Sequence, residues 1–563
     1  MNAPGGDRHA TGNLASVPAS AFDRRTALAR LEHEQFDLLV IGGGITGAGV
    51  ALDAASRGLR TALVERDDFA SGTSSKSSKL VHGGLRYLQQ GEYRLVYEAL
   101  AERQVLLENA PHLVQVLPFL LPILEKNGLI NKKLARALGV AMWTYDLTGG
   151  LRIGKRHHRI GKDEALAHMP TLPADALHSG YLYYDARTDD ARLTLAIART
   201  AAIEFGAAVA NRVPVEEIVH EQGVVAGARV TADGRTFTVS ASTVVNAAGV
   251  WSDDVRALDE GTHPHSIRPA KGIHITVPWS IVRNDIAAIL PTRDKRSIFV
   301  IPWGDLTYIG TTDTDDDGPL DDPRCTPDDI AYLLDSVNTL RDPRERAITA
   351  DDVVGTWAGL RPLLRRATSG KTADLSRRHA VHVSDRGLIS VTGGKLTTYR
   401  RMAADTVDAA VTRLGRGGRS ITRKTRLLGA ASSSDLARRG IPEHLAQRYG
   451  TDAAQITALV DADPTLGTPL VPGLPYLRAE ALYAVRHEMA LTLDDVLERR
   501  TRAQLMNRAA VRAAAADVAA LIGPELGWDA GREAGEVAAY RTRLDDERDA
   551  THPANPLDGS LGG

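Results

Sequence analysis

The stretch "FDLLVIGGGITGAGVALDAASRGLRTALVERDD", Phe36 to Asp68, restricts what this chain can fold into more than any other. Leu38-Leu39-Val40-Ile41 is a continuous apolar run, which predicts a strand buried on both faces. Gly42-x-Gly44-x-x-Gly47 follows at once, then a helical pattern through Ala55, then a second strand, Thr61-Ala62-Leu63-Val64, ending at Glu65. Each part has a mechanical duty in holding a dinucleotide. Gly42 makes the tight turn, Gly44 lets the backbone approach a pyrophosphate, and Gly47 lets helix and strand pack closely. The free N–H groups at the helix N-terminus, with Ile45 and Thr46, face the phosphates. Glu65 lies eighteen residues after Gly47, where its carboxylate can accept from a ribose 2′-hydroxyl. An acid at that place disfavours a 2′-phosphate, which leaves FAD or NAD.

With 563 residues the chain exceeds one ordinary core, so two or three domains are expected. A formal net charge of −2 gives no global pull toward nucleic acid. Cys325 is the single cysteine, which excludes an internal disulfide and a thiol metal cluster; no metal site is expected. Its acidic setting, "DDPRCTPDD", raises a thiol pKa and argues against a catalytic thiol in a reducing compartment. No run of about 18 apolar residues suggests a transmembrane helix, and residues 1–29 read as a disordered tail.

Two features favour FAD. The fingerprint opens the chain and no second one follows for a nicotinamide dinucleotide. Far downstream, "GLISVTGGKLTTYRRMAADTVDAAV" reads as strand, Gly393-Gly394 turn and amphipathic helix, whose N-terminus can stabilise negative charge on a flavin ring. A third strand-and-turn, "STVVNAAGVWS", puts Ala248 and Gly249 at another close approach. "IRPAKGIHITVP" and "SIFVIPWGDLTYIGTTD" alternate about a Gly304-Asp305 turn and predict antiparallel strands. In the first, His274 shares a polar face with Gly272 and Thr276. From about Thr425 onward the chain is alanine-rich and helical, with no cluster that carries chemistry.

Taken together, "VIGGGITGAGVALDAASRGL", "SSKLVHGGLRYL", "KGIHITV", "VIPWGDLTYIGTTD", "GLRPL" and "GGKLTTYRRMA" resemble, in order and spacing, the FAD-dependent, quinone-linked glycerol-3-phosphate dehydrogenases. The resemblance covers most of residues 36–410. It implies a discontinuous Rossmann-like FAD-binding domain (30–90, 185–258 and 351–415). An antiparallel-sheet substrate domain of the D-amino-acid-oxidase kind (91–184 and 259–350), a helical domain (425–547) and a disordered tail (548–563) complete the expected chain. It also implies FAD contacts from Ser74, Ser78, Lys79, Val213, Gly394, Lys395 and Leu396, besides the glycines and Glu65. Arg86, Tyr87, Lys395 and Thr397 are expected on the substrate phosphate, and Arg361 on the developing ketone oxygen, with the division between the two arginines open. His274 is the candidate base, and His82 reads as a structural histidine.

The implied reaction oxidises sn-glycerol 3-phosphate to dihydroxyacetone phosphate, with hydride passing to the flavin and electrons leaving to a membrane quinone. An oxygen-using glycerol-3-phosphate oxidase and a flavin oxidase acting on amino or hydroxy acids remain as alternatives. A peripheral place on the cytoplasmic face of the membrane and a homodimer are further expectations. In residues 127–147, Ile130, Leu134, Leu138 and Met142 recur every four residues with Lys132, Lys133 and Arg136 between them, and Trp143 and Tyr145 suit an interface. The same pattern equally fits a helix packed on the core.

Overall fold

The apolar run after Phe36 becomes the strand Leu38–Ile41, buried along its whole length, as a strand covered on both faces requires. The computed structural model describes residues 22–84, 92–124, 142–146, 153–294, 296–316, 318–365 and 379–551. The strand lies inside a six-stranded sheet whose order is Ala380–Val383, Ile389–Thr392, Val244–Asn246, Leu38–Ile41, Thr61–Val64, Ala208–Ala210. Every neighbouring pair is parallel except the edge strand Ala380–Val383. The parallel strands therefore end on one side, and the turns after them, at Gly42, Glu65, Asn211, Ala247 and Gly393, line up along that edge. Ligands of open α/β sheets bind at this carboxyl edge.

Helices Ile45–Ser56, Asp190–Ile203 and Tyr399–Leu414 share one apolar core against the sheet. The opposite face is covered by a small sheet in the order Gln35–Phe36, Arg235–Ala241, Val224–Ala232, Val215–Glu221, whose Ile218, Val230 and Val239 pack against Leu39 and Val64. A separate ten-stranded sheet is antiparallel but for one pair, Ala287–Pro291 with Val114–Leu124. Within it Gly355–Leu364 pairs residue by residue with Ile267–Pro278, setting Trp357 opposite His274 and Arg361 opposite Ala270. Helices from Ser433–Arg438 to Ala530–Thr551 form the C-terminal part around their own core. This is the fold class expected from the sequence.

Several expected boundaries move. Helix Arg24–His33, capped by the Asp23 side chain, begins inside the stretch taken as a tail. Residues 351–364, assigned to the FAD-binding part, include the strand Gly355–Leu364 of the large sheet. Leu80–Val81 and the end of Leu177–Thr188 also belong to that sheet. A strand's partner is a tertiary property that sequence order does not carry. The last helix continues to Thr551, beyond the tail boundary placed at 548.

Candidate active site

A cavity of about 590 Å³ runs along the carboxyl edge of the parallel sheet and opens toward the large antiparallel sheet. At one end lie Gly42, Gly44, Ile45, Thr46, Glu65 and Val213, with Ala248 and Gly249 beside them. The glycines divide their labour as their spacing suggests. Gly42 sits at φ +111°, and a Cβ there would lie 2.7 Å from the Ala247 carbonyl oxygen. At Gly47, away from the cavity lining, a Cβ would fall 1.9 Å from the Gly42 carbonyl oxygen, so this glycine serves helix–strand packing. At Gly44 the nearest atom to a Cβ is Ser74 Oγ at 3.1 Å, and the remaining space is the cradle for a ligand backbone.

Glu65 ends its strand with the side chain folded back over Gly43. Its carboxylate accepts from the Gly43 and Asp67 amides at 2.5 and 2.8 Å. Burial nevertheless pushes its pKa up to about 7, outweighing both amides. Ser74 accepts from the Ile45 amide at 2.9 Å, at the helix N-terminus. The parts fit FAD: a glycine turn with open space beside it, a helix N-terminus, an acid at the end of the second strand, and a cavity that continues to a second polar cluster.

That second cluster is made by Ser78, His82, Arg361, Gly394, Lys395, Leu396 and Thr397. Gly393 and Gly394, at φ +76° and +81°, turn the chain out of its strand and leave Lys395 as the cap of the turn Leu396–Thr398. The Thr397 hydroxyl receives the His82 amide at 3.2 Å, tying two turns 315 residues apart. Arg361 donates to Asp313 Oδ1 at 3.2 Å and to Thr311 Oγ1 at 3.1 Å. Its guanidinium lies over Gly272, where a Cβ would meet Nη2 at 2.4 Å. His82, read from the sequence as structural, lines the cavity and also packs edge-on against Phe299.

Two expected site residues are placed differently. His274 is 2% exposed and does not line the cavity. The 74–79 loop covers its strand face: Trp357 Nε1 donates to the Ser77 carbonyl at 3.1 Å and Tyr308 Oη to the Ser78 carbonyl at 3.0 Å. His274 meets the cavity through Ser78, whose Oγ is 2.8 Å from Nε2. Its ring stacks on Trp357 at 4.7 Å and 9°. Burial, then the charges of Lys79 and Arg361, hold the imidazole pKa well below its ordinary value. Lys79, expected on the cofactor, turns the other way. Its ammonium donates to Asp190 Oδ1 at 3.0 Å and to the Ser75 carbonyl at 3.1 Å, over the Trp357 ring. Burial, with Arg502 nearby, lowers its pKa to about 8.

Arg86 and Tyr87, expected on the substrate phosphate, lie outside the described residues. So does most of the run 127–147; within it Met142 and Tyr145 are buried, and Tyr145 donates to Asp185, whereas Trp143 is exposed. The Tyr145 ring is thus a core group rather than an interfacial one. Sequence reading missed Arg66 and Trp251, which line the cavity with the guanidinium 5.0 Å from the indole centroid. Trp251 stands two residues after Gly249, a hint that spacing alone does not distinguish from core. Cys325 is buried, and burial pushes its thiol up to about 12.

The family described as FAD dependent oxidoreductase matches residues 37–400, and the C-terminal domain of alpha-glycerophosphate oxidase matches residues 420–533. A glycerol-3-phosphate dehydrogenase of Mycobacterium leprae is 43% identical over 94% of this chain and 92% of its own. The human mitochondrial glycerol-3-phosphate dehydrogenase is 39% identical over 90% of this chain and 73% of its own. Among solved structures, the glycerol-3-phosphate dehydrogenase of Bacillus halodurans complexed with FAD is similar with a TM-score of 0.74 at 33% identity, covering 96% of this chain and all of that one. The cofactor of the cavity is FAD.

Proposed function

The chain belongs to the FAD-dependent glycerol-3-phosphate dehydrogenases, and from that premise we propose that it oxidises sn-glycerol 3-phosphate at C2 to dihydroxyacetone phosphate and passes the electrons to a membrane quinone. The observation that carries the reading is the polar cluster of Arg361, Lys395, Thr397 and Ser78 at the end of the FAD cavity away from Glu65. FAD, when bound, supplies the acceptor for the hydride and its two electrons.

The residues of the chain do the rest. Lys395 offers a point charge to the phosphate, and Arg86 and Tyr87 join it on the strength of their sequence motif. Arg361, held in orientation by Asp313 and Thr311, presents its guanidinium to the carbinol oxygen as that oxygen becomes a ketone. The C2 hydroxyl must lose a proton. Ser78 Oγ lines the cavity and lies 2.8 Å from His274 Nε2, so the pair offers that proton a route through the serine hydroxyl to the imidazole.

An anaerobic titration tests substrate and cofactor together. Glycerol 3-phosphate should bleach the flavin band near about 450 nm, and bleaching by amino or hydroxy acids instead would overturn the reading. Lys395→Ala should lower kcat/KM for glycerol 3-phosphate by about 10–150-fold, since a charge-assisted hydrogen bond contributes about 1.5–3 kcal/mol. The slow turnover of plain glycerol should stay unchanged; an equal loss on both would move Lys395 from the phosphate to the flavin.

We propose further that the protein works as a homodimer at the cytoplasmic face of the membrane. No helix among the described residues is long and apolar enough to cross a membrane, so the contact proposed is peripheral. Quinone reduction without peroxide supports this acceptor, and stoichiometric peroxide would make the protein an oxidase.

A further inference from the structure

The C-terminal helical part returns one short run of arginines into the body that carries the cofactor cavity. Arg502, with φ +71° and 1% exposed, points its guanidinium inward from the link between the π-helix Asp495–Arg500 and the helix Ala503–Met506. Nη2 donates to the Ser75 carbonyl at 3.0 Å and to Asp190 Oδ1, and Nε donates to Asp189 Oδ1 at 3.1 Å. Asp190 is wholly buried and shares Oδ1 with Lys79. Its other oxygen receives the Ser77 amide at 3.0 Å and the Ser77 hydroxyl at 2.7 Å. The next residue is Ser78, whose hydroxyl faces His274. A continuous line of bonds thus joins the C-terminal part to the serine–histidine pair.

We propose that Arg502 is a positioning residue for the oxidation: through Asp190 and the Ser75 carbonyl it holds the 75–79 loop where Ser78 presents its hydroxyl to both His274 and the cavity. Nη2 takes the Ser75 carbonyl and Asp190 while Nε takes Asp189 Oδ1, so the planar guanidinium ties three acceptors with donors in a fixed fork, which a single ammonium at the same position does not reproduce. Lys79 holds the same two acceptors from the loop side, so the loop is pinned from within and from the C-terminal part at once. This rests on the reading above, in which the Ser78–His274 pair takes the substrate proton.

The test is Arg502→Gln, alone and combined with Ser78→Ala, in the full-length FAD-loaded protein. Arg502→Gln should keep its FAD and hold KM within about twofold, while anaerobic flavin reduction by glycerol 3-phosphate slows about 10²-fold, as a misplaced reacting group does. In the Ser78→Ala background the same change should cost little more, because both act on one contact. Independently of activity, hydrogen exchange at the Ser77 and Lys79 amides should rise in the FAD-free Arg502→Gln protein, and Arg502→Lys should restore neither reading fully. If Arg502→Gln fails to fold, Ser77→Ala cuts the same line where the Ser77 hydroxyl donates to Asp190 Oδ2, and is taken through the same cycle. Additive losses, or a wild-type rate with full occupancy, would overturn the positioning role. A wild-type protein that glycerol 3-phosphate does not bleach would overturn the functional reading instead, while the exchange measurement still tells whether Arg502 pins the loop.

Discussion

At the scale of single residues, Glu65 carries a pH dependence that follows from its burial. The fold raises its pKa from 4.5 to about 7. The stability this group contributes is therefore complete below its unfolded value and is lost as pH rises through about 7. A ribose hydroxyl donating to the carboxylate favours the charged form, so FAD binding releases the proton. Affinity of the apoprotein for FAD should rise by up to about tenfold per pH unit below neutrality and level off above it. Flavin fluorescence titrations across that range measure it, with Glu65→Gln expected to be weaker and flat. A flat wild-type profile would remove Glu65 from the ribose.

At the scale of elements, the strand–turn–helix unit separates two kinds of glycine. Gly44 borders open cavity, and Gly47 touches the Gly42 carbonyl. Gly44→Val should yield a folded protein that loses FAD on gel filtration. Gly47→Ala must push helix from strand, and overpacking of this kind costs about 1–3 kcal/mol. It should lower the melting temperature of the apoprotein itself. Equal effects of the two changes on apoprotein stability would mean that the cavity is not where FAD's pyrophosphate lies. The glycine turn, its flanking strands and Glu65 were legible in the sequence, because all of them are local: a continuous apolar run, fixed spacing and one acid at a strand end. His274 was legible as a residue on a polar strand face. That the 74–79 loop closes over that face was not, since Tyr308 and Trp357, which anchor it, are more than two hundred residues away.

At the scale of the whole molecule, the C-terminal part is docked on Asp68. Arg499 Nε and Arg500 Nη1 each donate to Asp68 Oδ2 at 2.7 Å, and Arg500 Nη2 to Oδ1 at 2.9 Å. Burial raises the pKa of such a carboxyl, but the charges and hydrogen bonds of Arg500 and Arg499 outweigh it and hold the group well below its ordinary range. The stability of this contact is thus present above the ordinary value of 3.8 and is lost as pH falls toward the depressed one. Asp68→Ala leaves two buried guanidiniums short of a partner, at a cost of about 3–5 kcal/mol. It should lower the melting temperature and open the junction before the C-terminal helices to limited proteolysis. An unchanged cleavage pattern would show that docking rests on apolar packing instead.

The sequence by itself determined the dinucleotide-binding unit, the antiparallel strands around His274 and the helical character of the C-terminal part, because periodicity and turn chemistry act over a few residues. Only the tertiary structure decided where the charges of the loop go. The family resemblance implies that Lys79 contacts the FAD. Lys79 is instead captured by Asp190, 111 residues along the chain, because a buried carboxylate requires a buried cation and the folded loop brings this one within 3.0 Å. The same carboxylate recruits Arg502 from 312 residues away. No local pattern marks either partner, since the pairing exists only once the three parts of the chain are packed together.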